Sequence, residues 1–199
     1  MDSPQPFLKL RNSSKTSSFQ SSIYKTRAWR MLRPQVRKFT HRMSEPCLKI
    51  VLVTPEIPYN TGAIGRTCVA LNLELILIKP YGFSLDEKAV RRAGTDYWKY
   101  VHLSEYESWQ AFLDERRPLP ESLYFFEEHG DQTIYDPDYQ QDGYLVFGCE
   151  SKGLPSEVLN GMEDRTFSLP MLDSRVRSLN LANVATAVVY QAMRTQLGG

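Results

Sequence analysis

The sequence predicts an α/β fold, built on a mainly parallel sheet with helices on both faces. Four short runs are rich in Ile, Val, Leu and aromatic residues, and segments of helical periodicity separate them. The runs span residues 48–53, 73–78, 123–126 and 144–147. Runs that are apolar throughout are typical of parallel strands buried on both sides, so each is expected to form a strand of the sheet.

Four segments are expected to form helices. Residues 61–71 carry apolar side chains at helical spacing, and residues 86–93 begin with acids and end with arginines, as the helix dipole favours. A Ser-x-x-Glu capping box at 104–107 predicts a helix through about residue 117. A last helix begins at about Leu179 and presents one apolar face, formed by Leu181, Val184, Ala185, Val188 and Ala192.

The net charge of +1 conceals a basic leader and an acidic body. Residues 1–46 hold ten basic and two acidic residues and carry a charge of +8. Residues 47–199 hold fourteen basic and twenty-one acidic residues and carry a charge of −7. The leader is rich in serine and poor in aliphatic residues, so we expect it to be disordered, with a single domain at 47–199. Its composition fits an organelle transit peptide, an RNA-attracting tail, or sequence upstream of a start at Met43. We expect a cytoplasmic protein, or one of an organelle matrix or stroma if the leader is a transit peptide.

Several classes of protein are disfavoured by missing signatures. The three cysteines form no CxxC pair, and no stretch approaches the roughly 18 apolar residues of a membrane helix, so we expect neither metal nor membrane. The sequence has no GxGxxG, HExxH, GxSxG or deaminase signature, and its three histidines are scattered. The chemistry is therefore expected to rest on positioning and electrostatics.

The first of three unusual loops, residues 55–66, follows the first predicted strand and reads Pro-Glu-Ile-Pro-Tyr-Asn-Thr-Gly-Ala-Ile-Gly-Arg. Either Asn60 or Thr61 can cap the following helix. Arg66 lies two residues after the apolar Ile64, which turns its side chain away from the core. Taken alone, Arg66 is interpreted first as a solvated surface arginine, and only second as a functional residue.

The second loop, residues 148–155, follows the 144–147 strand and superficially resembles a phosphate-binding Walker A loop. Because Lys152 precedes the second glycine of the loop instead of following it, a nucleoside triphosphate site is not expected. Glu150 is interpreted first as a carboxylate that caps a helix and holds the loop. Cys149 is interpreted as a packed side chain instead of a nucleophile.

The third loop and the helix after it, residues 169–183, begin with Leu-Pro-Met, which suits an apolar wall or an adenine pocket. Ser178 is a candidate helix cap, and Asn180 and Asn183 are candidate polar residues of the first turn. In an open parallel sheet, ligands bind beyond the carboxyl ends of the strands, where all three loops are expected.

Taken in order, the segments 55–66, 147–155 and 169–183 resemble the three motifs of the SPOUT superfamily of RNA methyltransferases. Residues 80–83 and 91–97 narrow the resemblance to the small tRNA (cytidine-34)-2′-O-methyltransferases, and it extends over about residues 48–197. The leader has no counterpart in that family. The loop from Met171 to Ser178 is one residue longer than its commonest form.

The resemblance implies a C-terminal trefoil knot, S-adenosylmethionine bound in that knot, a homodimer, and the anticodon stem-loop of tRNA as the substrate, with methylation of the wobble ribose. It places Phe126, Gly148, Leu169 and Ser178 at the cofactor. Arg66 and Asn180 lie at the reaction centre, where Arg66 is expected to stabilise developing negative charge. Two alternatives remain: a 2′-O-methyltransferase for another tRNA or rRNA position, and a knotted RNA-binding protein without activity.

Overall fold

The computed structural model describes residues 46–85 and 97–198. The basic leader and the predicted helix at 86–93, with Arg91 and Arg92, lie outside these residues. Within the described ranges, no helix has both the length and the apolar character needed to span a bilayer.

Seven strands and five helices make up the described part of the chain. The strands are β1 (Lys49–Val53), β2 (Glu74–Ile78), β3 (His102–Tyr106), β4 (Leu123–Phe126), β5 (Gln132–Thr133), β6 (Tyr144–Phe147) and β7 (Thr166–Ser168). The helices are α1 (Pro58–Leu71), α2 (Trp109–Arg116), α3 (Ser156–Leu159), α4 (Leu181–Ala192) and α5 (Arg194–Leu197). Short 3₁₀ turns occur at Trp98–Tyr100, Pro120–Ser122 and Glu163–Arg165.

The strands form one sheet in the order β3-β2-β1-β6-β4-β7-β5, and every neighbouring pair is parallel. The apolar strands are buried on both faces because α1 and α4 pack on one side, and α2 and α3 on the other. The predicted α/β architecture is therefore confirmed, and the trefoil knot stays a prediction from the resemblance. The order places β1, β6, β4 and β7 side by side, so the loops that follow them meet at one edge of the sheet.

The predicted capping box at 104–107 is wrong. Ser104 lies in β3, whose register pairs it with Ile76 of β2, and its Oγ donates to Glu74 Oε1 at 2.6 Å. Helix α2 begins instead at Trp109, where Ser108 Oγ accepts a hydrogen bond from Ala111 N at 3.1 Å. Pairing with β2 fixes residues 102–106 as an edge strand, and this long-range contact overrides the local capping pattern.

The caps predicted for α1 and α4 are also wrong. Helix α1 starts at Pro58, before the predicted start, and its N-cap Ile57 makes no side-chain cap. Asn60 and Thr61 therefore lie inside the first turn, where both are buried. At α4 the cap is Asn180 instead of Ser178, because Asn180 Oδ1 accepts a hydrogen bond from Ala182 N at 2.9 Å.

Candidate functional site

A cleft of about 630 Å³ opens at the carboxyl edge of the sheet. Segments after β1, β4, β6 and β7 and the start of α4 form its wall. The wall contains every residue that the sequence placed at a cofactor, namely Phe126, Gly148, Leu169 and Ser178, and also Asn180. Its volume lies within the range of about 300–1,000 Å³ that small-molecule sites occupy.

Two stacked rings form the deep end of this cleft. Phe126 at the end of β4 stacks on Phe147 at the end of β6, with ring centroids 4.9 Å apart and an interplanar angle of 19°. Leu154, Leu169 and Val184 continue the apolar surface. Since adjacent parallel strands end together, the pairing of β4 with β6 brings the two rings into contact.

The β6–α3 loop is a narrow hairpin in which Cys149 and Gly153 exchange two backbone hydrogen bonds of 3.1 and 3.0 Å. A Cβ on Gly148 would lie 2.0 Å from the carbonyl carbon of Gly153, and Gly153 has a φ of +70°. Gly148 is thus required by the backbone of its own loop. A larger residue at 148 would therefore displace the hairpin itself, whether or not a cofactor is bound.

Glu127, which sequence reasoning missed, supports the same hairpin from β4. Its Oε1 accepts a hydrogen bond from the N–H of Leu154, and a Cβ on Gly153 would lie 2.6 Å from its Oε2. Burial raises the pKa of the Glu127 carboxyl, and the Leu154 hydrogen bond opposes that rise. Its position just after the apolar run 123–126 was the available signal, because the carboxyl ends of parallel strands carry the site.

Reciprocal carboxylate contacts join the β1–α1 and β6–α3 loops. Glu150 accepts hydrogen bonds from Glu56 N at 2.8 Å, Ile57 N at 3.3 Å and Asn60 Nδ2 at 2.8 Å. In return, the Glu56 carboxylate accepts from Ser151 N at 3.1 Å and Ser151 Oγ at 2.8 Å. The interpretation of Glu150 as the carboxylate that holds this loop is confirmed, whereas its expected role as a helix cap is not, because both backbone donors precede α1.

An amide bridge extends these contacts to α4. Asn60 is 2% exposed, and its Oδ1 accepts a hydrogen bond from Asn180 Nδ2 at 2.9 Å. Because Asn180 Oδ1 caps α4 at the same time, both polar atoms of its amide have partners in the protein. Glu150, Asn60 and Asn180 therefore form one chain of hydrogen bonds that ties the three loops together beside the cleft.

Arg66 is exposed on α1, and its predicted orientation away from the core is confirmed. It lies six residues beyond Asn60, roughly 9 Å along the helix axis, and is not part of the cleft wall. Its guanidinium carbon is 4.7 Å from the ring centroid of Tyr97. The structure thus gathers five of the six predicted site residues at the cleft and places Arg66 on a neighbouring surface.

The mouth of the cleft is polar. Arg177 Nε lies 3.3 Å from Glu128 Oε2, and both residues line the cleft. Outside it, the Arg175 guanidinium lowers the pKa of the Asp173 carboxyl through their hydrogen bonds. Among the residues described here, no group of His, Cys, Asp or Glu is arranged to hold a metal ion.

The cleft fits S-adenosylmethionine in size and in chemistry. The stacked rings and leucines suit an adenine ring, and the carboxylates of Glu127 and Glu128 suit the positive charges of the amino and sulfonium groups. The fold, the cleft and the three loops together define an S-adenosylmethionine-dependent RNA methyltransferase.

Comparison with known proteins specifies the family. Residues 47–191 match the SpoU rRNA Methylase family. A tRNA (cytidine(34)-2′-O)-methyltransferase of Saccharophagus degradans is 42% identical over 150 residues, which are 75% of this chain and 95% of that protein. The chain therefore belongs to the SpoU methylase family and, within it, to the tRNA (cytidine(34)-2′-O)-methyltransferases.

Two solved structures agree with this assignment. One, concerned with the 2′-OH methylation of C/U34 on tRNA, is 41% identical, covers 76% of this chain and 97% of its own, and has a TM-score of 0.69. The other is the SpoU methyltransferase AviRb of Streptomyces viridochromogenes in complex with AdoMet. It is 30% identical, covers 79% of this chain and 64% of its own, and has a TM-score of 0.66.

Proposed function

We propose that this protein transfers a methyl group from S-adenosylmethionine to the ribose 2′-hydroxyl of nucleotide 34 of tRNA, a cytidine or a modified uridine. The observation that carries the proposal is the cleft at the carboxyl edge of the sheet, whose wall contains Phe126, Gly148, Leu169, Ser178 and Asn180. The names of the relatives support the choice of substrate.

The residues of the cleft supply binding and orientation. Bound S-adenosylmethionine supplies a methyl group that is already electrophilic, so the protein has mainly to align the attacking oxygen and ease loss of its proton. The Gly148–Gly153 hairpin, supported by Glu127, fixes one wall of the cleft. Leu169 and Ser178, which follow β7, also line the cleft.

Asn180 and Arg66 have different roles in this proposal, one structural and one toward the RNA. Asn180 is a positioning residue in this proposal, because its amide bridges α1 and α4 and holds the cleft edge. Arg66 acts on the RNA side, where its exposed guanidinium anchors phosphate and stabilises negative charge on the ribose oxygen. A role as proton acceptor is disfavoured because arginine keeps its proton in proteins.

A homodimer is part of the proposal. Ile57, Tyr59 and Leu179, at and beside the rim of the cleft, are 44%, 63% and 44% exposed, which leaves an apolar surface for a second copy to cover. The charge of −7 on residues 47–199 also repels phosphate, so RNA binding would gain from a dimer that brings basic side chains of one chain beside the cleft of the other. Sedimentation should detect a dimer at assay concentration, and an active monomer would contradict this proposal.

Nucleoside mass spectrometry of tRNA from cells that lack the protein tests the activity. We expect loss of 2′-O-methylation at nucleotide 34 and its return when the wild-type chain is supplied. The Arg66→Ala chain, produced at the same level, should fail to restore it. Unchanged modification at nucleotide 34 in the deficient cells would contradict the proposal.

A further inference from the structure

The turn at Trp98–Tyr100 and the residue before it are seated on α1 directly beside Arg66. The hydroxyl of Tyr97 donates a hydrogen bond to the carbonyl oxygen of Gly62 at 2.9 Å. A Cβ on Gly65 would lie 2.5 Å from Cζ3 of Trp98, so the missing side chain of Gly65 makes room for that ring. These two contacts attach the turn to the helix at the residues around Arg66.

The ring of Tyr97 lies where the Arg66 guanidinium rests. The 4.7 Å between the guanidinium carbon and the ring centroid is within the distance of about 6 Å for a cation–π contact. The ring is itself fixed, because its hydroxyl is anchored to Gly62 and its backbone carbonyl accepts a hydrogen bond from Tyr100 N at 2.8 Å. Gly62 is four residues before Arg66, one turn below it on α1.

A long arginine side chain on a helix surface samples many rotamers, and ordering it at the moment of reaction costs free energy. A fixed aromatic face restricts those rotamers beforehand, and a cation–π contact uses the charge of a guanidinium without taking a hydrogen bond from its N–H groups. The contact therefore affects how Arg66 is presented and leaves its charge unchanged.

We propose that Tyr97 is a positioning residue for Arg66: its anchored ring holds the guanidinium in the orientation that receives the RNA. The proposal rests on the RNA-side role given to Arg66 under Proposed function. It assigns Tyr97 no contact with the cofactor, because Tyr97 is not part of the cleft wall.

Single-turnover methyl transfer in a double-mutant cycle separates positioning from a structural role. Tyr97→Leu should slow methyl transfer by about 3- to 30-fold, with the affinity for S-adenosylmethionine unchanged. Tyr97→Phe keeps the ring and should stay within about 3-fold of the wild type. In an Arg66→Ala chain, Tyr97→Leu should cause no further loss, whereas an equal loss in both backgrounds would overturn the proposal.

Tyr100 offers a matched control in the same turn. Its ring is 60% exposed and lies 5.0 Å from Lys99 Nζ, so Tyr100→Leu removes a comparable ring without changing the Arg66 contact. It should leave the rate unchanged. If Tyr97→Leu unfolds the protein, Gly65→Ala tests the same contact, because its added methyl group displaces Trp98. Gly65→Ala should slow methyl transfer in a chain that has Arg66, and should cause no further loss in an Arg66→Ala chain.

Proton NMR of the full-length chain tests the contact without any reaction. The δ-methylene and Nε–H signals of Arg66 should carry a ring-current shift that Tyr97→Leu abolishes and Tyr100→Leu leaves in place. Arg66 signals that do not change in Tyr97→Leu would overturn the proposal. Signals that change in a protein unable to methylate tRNA would support the positioning by Tyr97 and refute the proposed function instead.

Discussion

Replacement of Glu150 by alanine tests whether reciprocal carboxylate contacts hold the cleft together. The substitution removes three hydrogen bonds, from Glu56 N, Ile57 N and Asn60 Nδ2. The first two donors are exposed and regain water, but the Asn60 amide is 2% exposed and does not. The variant also loses a negative charge at the start of α1.

The size of the effect follows from these contacts. Each net hydrogen bond contributes about 0.5–1.5 kcal/mol, and a carboxylate at a helix start adds about 0.3–1 kcal/mol. With two donors rehydrated, the expected loss in the free energy of unfolding of Glu150→Ala is about 2–3 kcal/mol. For a domain of about 150 residues this corresponds to a fall in Tm of roughly 5–10 °C.

Thermal unfolding followed by circular dichroism measures this loss. The Tm of Glu150→Gln should lie between those of the wild type and Glu150→Ala. The glutamine oxygen still accepts a hydrogen bond, but its NH₂ group faces another donor and forms none. Glu157, an exposed residue on the first turn of α3, supplies the control, and Glu157→Ala should change Tm by less than about 2 °C. A Glu150→Ala chain with the wild-type Tm and cofactor affinity would refute the reasoning.

Three further predictions concern other parts of the molecule. Arg66→Ala should leave the fold and the cofactor affinity intact, because Arg66 is exposed and outside the cleft wall, and should slow single-turnover methyl transfer on the order of 10²-fold. Arg66→Lys should restore only part of this rate. Near-normal turnover of the alanine variant would show that Arg66 is an ordinary surface residue. Burial raises the pKa of the Glu127 carboxyl above its ordinary 4.5, so the folded protein binds that proton more tightly than the unfolded chain does. The free energy of unfolding therefore falls as pH rises through the folded pKa and the carboxyl ionises. Glu127→Gln keeps an acceptor for Leu154 N and removes the buried charge, so it should raise the free energy of unfolding by under about 1 kcal/mol near pH 8 and by nothing near pH 4. It should also weaken cofactor binding. A gain in urea unfolding that persists at the lower pH would contradict the assignment. A chain that begins at Met43 should fold and keep its specific activity at moderate salt, because the family match starts at residue 47; failure to fold would show that the domain boundary is wrong.

Much of the fold followed from sequence because its signals are local. Continuous apolar runs predicted β1, β2, β4 and β6, and the parallel sheet they imply brought the three loops to one edge. The short strand β5 carries little apolar character and was not expected, and the edge strand β3 occupies residues where the capping box at 104–107 predicted the start of a helix. Ser104 and Ser108 both precede helix-compatible sequence, and only the pairing of β3 with β2 decides between them.

The contacts that organise the site could not be predicted because they join distant parts of the chain. Asn60 and Asn180 are 120 residues apart, and their hydrogen bond depends on how α1 and α4 pack. Glu127 reaches Leu154 only because β4 lies next to β6, an adjacency that chain order does not reveal. The sequence identified the residue types of the site, and the packing of the sheet determined their roles.

The central claim is that this protein methylates the ribose of tRNA nucleotide 34, and reconstitution with purified components tests it most directly. The protein would be incubated with S-adenosylmethionine and an unmodified tRNA, which is then cleaved and analysed by mass spectrometry. A matched tRNA with a 2′-deoxy sugar at position 34 is the control. We expect one added methyl group on the ribose of nucleotide 34 and none on the deoxy substrate. Methylation of a base, of another nucleotide or of the deoxy tRNA would contradict the account.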